Sequence, residues 1–100
     1  MPMLEYSGGK IFTSTGNSNW QDAYTAQYHA FQFEADAGSS GAWQIQERMK
    51  NGTNTIILSS NNIAASSAME VRLTGGIYQH RIRMKTFLST GTVTIRWFGT

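Results

Sequence analysis

The sequence predicts an all-β chain, an antiparallel, jelly-roll-like β-sandwich of six to eight short strands, and three observations predict it. Apolar residues alternate with polar ones in short runs of period two, turn signals recur at roughly 8 to 15 residue intervals, and no stretch carries the 3.6-residue spacing of an amphipathic helix. One hundred residues suffice for a single small core.

The clearest run covers residues 77–99. Ile82, Met84 and Leu88 fall on one parity and Arg81, Arg83 and Lys85 on the other, and Val93, Ile95 and Trp97 resume the apolar phase beyond Ser89-Thr90-Gly91-Thr92. This predicts a β-hairpin, in which a loop of two or four residues sets Leu88 opposite Val93, Thr86 opposite Ile95 and Met84 opposite Trp97. A slip of one residue would turn every side chain to the wrong face.

Residues 1–23 are weakly periodic and punctuated by Gly8-Gly9 and Gly16-Asn17-Ser18-Asn19, so they read as an N-terminal arm with at most one short strand, near residues 10–13. The sandwich is then residues 24–100. Leu4, Tyr6, Ile11, Phe12 and Trp20 give the arm an apolar content that is expected to bury against a neighbouring chain. Tyr24, Ala26, Tyr28 and Ala30 alternate, and the phase then changes to Phe31, Phe33 and Ala35, the pattern of a β-bulge. Residues 37–41 turn the chain toward Trp43, Ile45 and Met49. Asn51-Gly52 then signals a two-residue hairpin that pairs Glu47 with Ile56 and Ile45 with Leu58, placing Glu47 on the apolar parity. Residues 59–68 are small and polar and read as a loop, Met69, Val71 and Leu73 as a strand, and Gly75-Gly76 as a turn. The core expected from these faces is Ile45, Val71, Ile82, Met84, Val93, Ile95 and Trp97.

With no cysteine, the chain has neither a disulfide nor a thiolate metal site. No run approaches the ~18 to 20 apolar residues that span a bilayer, and the first residues lack the charged start and apolar segment of a signal peptide, so no membrane role and no Sec export are expected. The net charge is +2, distributed unevenly. Residues 1–47 hold Glu5, Asp22, Glu34, Asp36 and Glu47 against Lys10, whereas residues 48–100 hold Arg48, Lys50, Arg72, Arg81, Arg83, Lys85 and Arg96 against Glu70. Such asymmetry suits a charged partner or copies of the chain itself.

Catalytic patterns are missing. His29 and His80 each sit within a strand, far from metal-ligand spacing, and read as structural or surface residues. Glu34 and Asp36 share a face and imitate a glycosidase pair, but the same spacing is commonplace on a solvated strand end. There is no G-x-S-x-G, and Gly8-Gly9-Lys10 lacks the rest of a phosphate loop. No enzymatic activity, no metal and no cofactor are therefore expected. The most specific charged feature is the stripe Arg81, Arg83, Lys85, which the hairpin register sets against Arg96. Like charges facing each other call for a neutralising partner. Acidic residues of another protein chain are one partner, nucleic acid is another, with only Phe87 and Phe98 on that face for base stacking, and a solvated face is the third reading. Asn51-Gly52-Thr53 matches a glycosylation sequon but reads as the hairpin turn. Trp20, Tyr24 and Tyr6 could line a sugar site, although such aromatics more often serve a core or an interface.

The pieces Ala42-Trp43-Gln44-Ile45-Gln46, Met69-Glu70-Val71, Gly76-Ile77-Tyr78, Arg81-Ile82-Arg83-Met84 and Ser89-Thr90-Gly91-Thr92-Val93-Thr94-Ile95 form a pattern of strands and turns over about residues 28–99. It resembles the β-sandwich virion proteins of tailed bacteriophages, of the head decoration or cement type. Ser39-Ser40-Gly41 stands where that pattern has an aspartate-glycine turn before the tryptophan. The resemblance implies a non-enzymatic structural protein, made in the host cytoplasm and placed on the virion's capsid surface. Its partners would be the major capsid protein and copies of itself, as a homotrimer. The contacts would come from Leu4, Tyr6, Ile11, Phe12, Trp20, Arg81, Arg83, Lys85 and Arg96. The alternative is a carbohydrate- or receptor-binding module of a phage tail or fibre.

Overall fold

The computed structural model of the chain describes residues 4–88 and 91–100. Among them run nine strands: β1 (Tyr6–Phe12), β2 (Gly16–Asn17), β3 (Gln21–Asp22), β4 (Tyr28–Ala35), β5 (Ser40–Arg48), β6 (Ile56–Ile63), β7 (Ala68–Thr74), β8 (Gln79–Leu88) and β9 (Val93–Gly99). They form two antiparallel sheets, ordered β1-β9-β4-β7 and β2-β8-β5-β6, with β3 also paired to β8. β2 and β3 are two halves of one edge strand, because Ser18 continues the ladder between them. Its N–H donates to the Ile82 carbonyl at 2.8 Å, and its Oγ accepts the Ile82 N–H at 2.9 Å. Counted this way there are eight strands, and the chain changes sheet at every connection except β5 to β6, as in a jelly roll. The predicted all-β, jelly-roll-like sandwich is the observed fold.

The inner faces alternate as the sequence requires. Phe12, Phe31, Phe33, Ala35, Trp43, Ile45, Ile63, Ile82, Met84, Val93, Ile95 and Trp97 form one core, joined across the sheets by Phe33 stacked on Trp43 with ring centroids 4.2 Å apart. Six of the seven expected core residues are buried. Val71 is only half-buried, because β7 is an edge strand.

The hairpin expected over residues 77–99 does not form. β8 lies in one sheet, against β5, β2 and β3, while β9 lies in the other, between β1 and β4. Two strands that face one core from opposite sheets show the same alternation as two strands paired side by side. Residues 89 and 90 of the connection lie outside the described residues. Leu88 also departs from its expected face: the β5–β8 ladder passes from Trp43 opposite Met84 to Ala42 opposite Thr86, leaving Lys85 unmatched. This bulge reverses the phase, so Phe87 packs against the core and Leu88 is 70 % exposed.

Residues 1–23, expected to be an arm with at most one short strand, supply β1, β2 and β3, and Phe12, Ser18 and Ala23 are buried. The glycine pairs misled: Gly8 and Gly9 lie within β1 opposite Trp97 and Arg96. No bulge occurs in β4, whose register with β7 and β9 is unbroken; Ala30 is buried on the outer face, opposite Arg72 and Phe98. The β5–β6 hairpin forms with Glu47 opposite Ile56 as expected, but residues 49–55 connect the strands in place of the expected two-residue loop, and a bulge sets Ile45 against Ser59 instead of Leu58. Its turn closes by the Gly52 N–H donating to the Met49 carbonyl at 2.8 Å, with Asn51 at φ 57°, the left-handed conformation that asparagine tolerates. β6 continues to Ile63, so half of the expected loop over residues 59–68 is strand.

Candidate functional site

Two polar constructions stand out, one inside the sandwich and one on it. Inside, Gly99 pairs with Tyr6 on one side and with His29 on the other. A Cβ at Gly99 would overlap the Tyr6 ring, so the bare glycine lets that ring lie across β9 toward His29. The Gly75 carbonyl, 3.0 Å from His29 Nε2, can only accept, which places the His29 proton on Nε2 and leaves Nδ1 as an acceptor. Tyr6 therefore donates its hydroxyl proton to His29 Nδ1 at 2.6 Å, and accepts from His80 Nε2–H at 2.9 Å. The chain His80, Tyr6, His29, Gly75 ties β8 of one sheet to β1 and β4 of the other.

Its surroundings are apolar. Phe31 and Trp97 meet the His80 ring edge-on, at centroid distances of 4.7 and 6.2 Å. Burial, and next the proximity of His29, pull the His80 pKa down from 6.5 to about 3, and burial pushes the Tyr6 hydroxyl pKa up. His80 is thus neutral at physiological pH, and its Nδ1 is buried without a hydrogen-bond partner among the described residues. The two histidines are buried and Tyr6 half-buried, and apart from His80 Nδ1 the donors and acceptors are used on one another or on the Gly75 carbonyl; the bridge holds the sheets together.

The second construction lies on the outer face of the β8-containing sheet. Trp20, between β2 and β3, has two guanidinium groups over its ring, Arg48 at 4.4 Å and Arg81 at 4.5 Å from the centroid. Each arginine is oriented by a glutamine: Arg48 Nε donates to Gln79 Oε1 at 2.7 Å, and Arg81 Nε to Gln46 Oε1 at 2.8 Å. Gln46 in turn donates to Gln44, and Gln79 to Asp22. Arg83 and Lys85 continue the row along β8, and Lys50 follows Arg48 in the next turn. The only ion pair among the described residues joins Arg72 to Glu70 on the other sheet, so Arg48, Lys50, Arg81, Arg83 and Lys85 have no carboxylate partner. Burial, then Arg48 and Arg83, lower the Arg81 pKa, which records the crowding of like charges.

The residues singled out in the sequence thus divide. Trp20, Arg81, Arg83 and Lys85 come together on this face. Arg96 does not join them, because β9 lies in the opposite sheet, where Arg96 is exposed between Gly9 and Gln32. Its expected clash with Lys85 does not exist. Tyr6 is in the buried bridge and Phe12 in the core, whereas Leu4 and Ile11 are exposed. Tyr24 is exposed and stacks on Tyr78 with centroids 5.0 Å apart. Asp36 accepts hydrogen bonds first from Thr92 N–H, then from the Ser39 side chain, and more weakly from Gly38 N–H and the Thr92 hydroxyl, which lower its pKa and use it as a loop tie. Sequence reading missed Arg48, Gln46 and Gln79 as parts of the face. Their outward parity on β5 and β8 was the available signal.

No protein family matches the chain, and no curated protein sequence matches it. Among solved structures, the chain is similar to the SPBc2 prophage-derived protein YomS, at 12 % identity and a TM-score of 0.62 over 99 % of this chain and 98 % of that one. It is also similar to a chain of the disulfide-linked pili that form Bacillus endospore appendages, at 10 % identity and a TM-score of 0.52 over 99 % of this chain and 91 % of that one. At these identities the shared property is the fold, an entire sandwich matched nearly end to end.

Proposed function

We propose that the chain is a non-enzymatic structural virion protein, a decoration or cement protein that docks as a homotrimer on the outer surface of a phage head and bridges its major capsid subunits. The observation that carries this reading is the outer face of the β8 sheet, where Arg48, Lys50, Arg81, Arg83 and Lys85 have no carboxylate partner among the described residues and await one from another molecule. The whole-length likeness to a prophage-derived protein supports a phage setting, and the likeness to a pilus chain supports a structural role. These 100 residues hold no cysteine, so no disulfide links copies of the chain through them. Exposed Leu4, Ile11, Ile56 and Ile57 add apolar contact area, while Tyr6 and Phe12, used internally, do not.

The second reading, a carbohydrate- or receptor-binding module of a tail or fibre, is favoured by one feature, the exposed Tyr24 ring backed by Tyr78. Trp20 adds little to it, since its ring already carries the Arg48 and Arg81 guanidinium groups. Co-sedimentation of the purified protein with heads that lack it separates the two. Saturation at a fixed ratio to the major capsid protein supports decoration; no association with heads, together with binding to tails or host glycans, supports the module.

A further inference from the structure

We infer that the outer face of the β8 sheet takes an extended acidic segment of a partner protein, laid along β8 with carboxylates at alternate positions. The inference rests on the structural-protein reading only in taking a protein as the partner.

Geometry sets the spacing. Arg81 and Arg83 are two residues apart on one face of a strand, about 6.6 Å, and alternate side chains of an extended peptide repeat at the same interval. Lys85 follows on the bulge and can reach a third carboxylate. Two hollows lie along the row. One of about 390 Å³ is lined by Arg48, Lys50, Asn51, Gly52, Tyr78 and Gln79, and the other, of about 310 Å³, by Thr15, Asn17, Arg81, Arg83 and Lys85 among others.

Arg48 and Arg81, one lining each hollow, are held in place before any partner arrives. Both guanidinium groups lie over the Trp20 ring, and each Nε is bonded to a glutamine, which leaves the paired Nη groups without an acceptor among the described residues. That edge is the one a carboxylate meets with two parallel hydrogen bonds. Little side-chain order is then lost on binding, and an incoming negative charge relieves the repulsion among Arg48, Arg81 and Arg83. Asp22, which pairs with Gln79 at the edge of the sheet, accepts a hydrogen bond from the Gln79 amide and forms no ion pair with the row.

Nucleic acid fits less well. A sheet that binds single strands offers free rings to the bases, but here Trp20 is engaged by two guanidinium groups, Phe87 packs on the core, and Tyr24 and Tyr78 stack on each other.

The test is fluorescence anisotropy of the full chain with a labelled octapeptide alternating glutamate and threonine. An octapeptide of the same composition with its glutamates clustered and an oligothymidylate are measured beside it. The alternating peptide should bind best, and the exposed double substitution Arg83→Gln, Lys85→Gln should weaken it about tenfold without changing the fold. Equal binding by the clustered peptide, equal binding by the double variant, or tighter binding of oligothymidylate would each overturn the inference. A protein that binds the peptide but never sediments with heads would contradict the decoration reading and leave this inference standing.

Discussion

His80 makes the stability of the fold sensitive to mild acid. In the folded chain it stays neutral, with its pKa pulled down to about 3 by burial, whereas in the unfolded chain it protonates near 6.5. Above 6.5 both states are neutral and the residue has no effect on pH dependence. As the pH falls through 6.5 the unfolded state takes up a proton that the folded state refuses, so stability declines by about 1.4 kcal/mol per unit. Between pH 7 and pH 5 the loss is about 2 kcal/mol, and by pH 4 about 3 kcal/mol, a large share of a small domain's stability. The upper window lies above the range where ordinary carboxylates titrate, which isolates the histidine contribution. The assay is urea denaturation followed by tryptophan fluorescence at pH 7, 6 and 5, on the wild type and on His80→Gln. The glutamine keeps a donor near the Tyr6 hydroxyl but cannot titrate. It should remove most of the slope, whatever it costs at pH 7. A wild type whose stability is flat from pH 7 to 5, or a variant with an unchanged slope, would refute the placement of a neutral His80 in the bridge.

Gly99→Ala would drive a methyl group into the Tyr6 ring and break the bridge at its centre; a loss of about 2 to 4 kcal/mol is expected by the same denaturation assay. Trp97→Ala removes a core side chain and its Nε1–H hydrogen bond to Gln21 (3.1 Å), and should cost about 3 to 5 kcal/mol, read as a fall in melting temperature. Deleting residues 2–19 removes β1, β2, Tyr6 and Phe12, exposes the edge of β9, and should abolish the cooperative unfolding transition; a well-folded truncated chain would show that these strands are an appendage after all.

The faces of the strands were legible in the sequence, while many of their partners were not. Period-two alternation says which side chains face apolar surroundings, and it placed Ile45, Ile82, Met84, Val93, Ile95 and Trp97 correctly. It cannot tell a neighbour in the same sheet from one across the core, which is why β8 and β9 read as a hairpin. A local signal, Asn51 with its left-handed backbone, did fix the β5–β6 partner and the Glu47–Ile56 register. Bulges escaped, since one unmatched residue such as Lys85 leaves no mark in composition. The basic row on β8 was visible as a stripe, but its contact with Trp20 was not, because Trp20 arrives from the link between β2 and β3 and Arg48 from the end of β5, both far away in sequence. The bridge was half visible: His29 shares the parity of Phe31 and Phe33, and His80 that of Ile82 and Met84. Tyr6 lies 74 residues from its donor His80, in a segment whose glycines suggested a loop.

The central claim, that this jelly roll is a structural component docked on a phage head, is tested most directly by counting it in purified particles. Quantitative mass spectrometry of virions should find the chain in a fixed ratio to the major capsid protein and at a comparable copy number. Its absence from particles, or a presence of only a few copies each, would contradict the account.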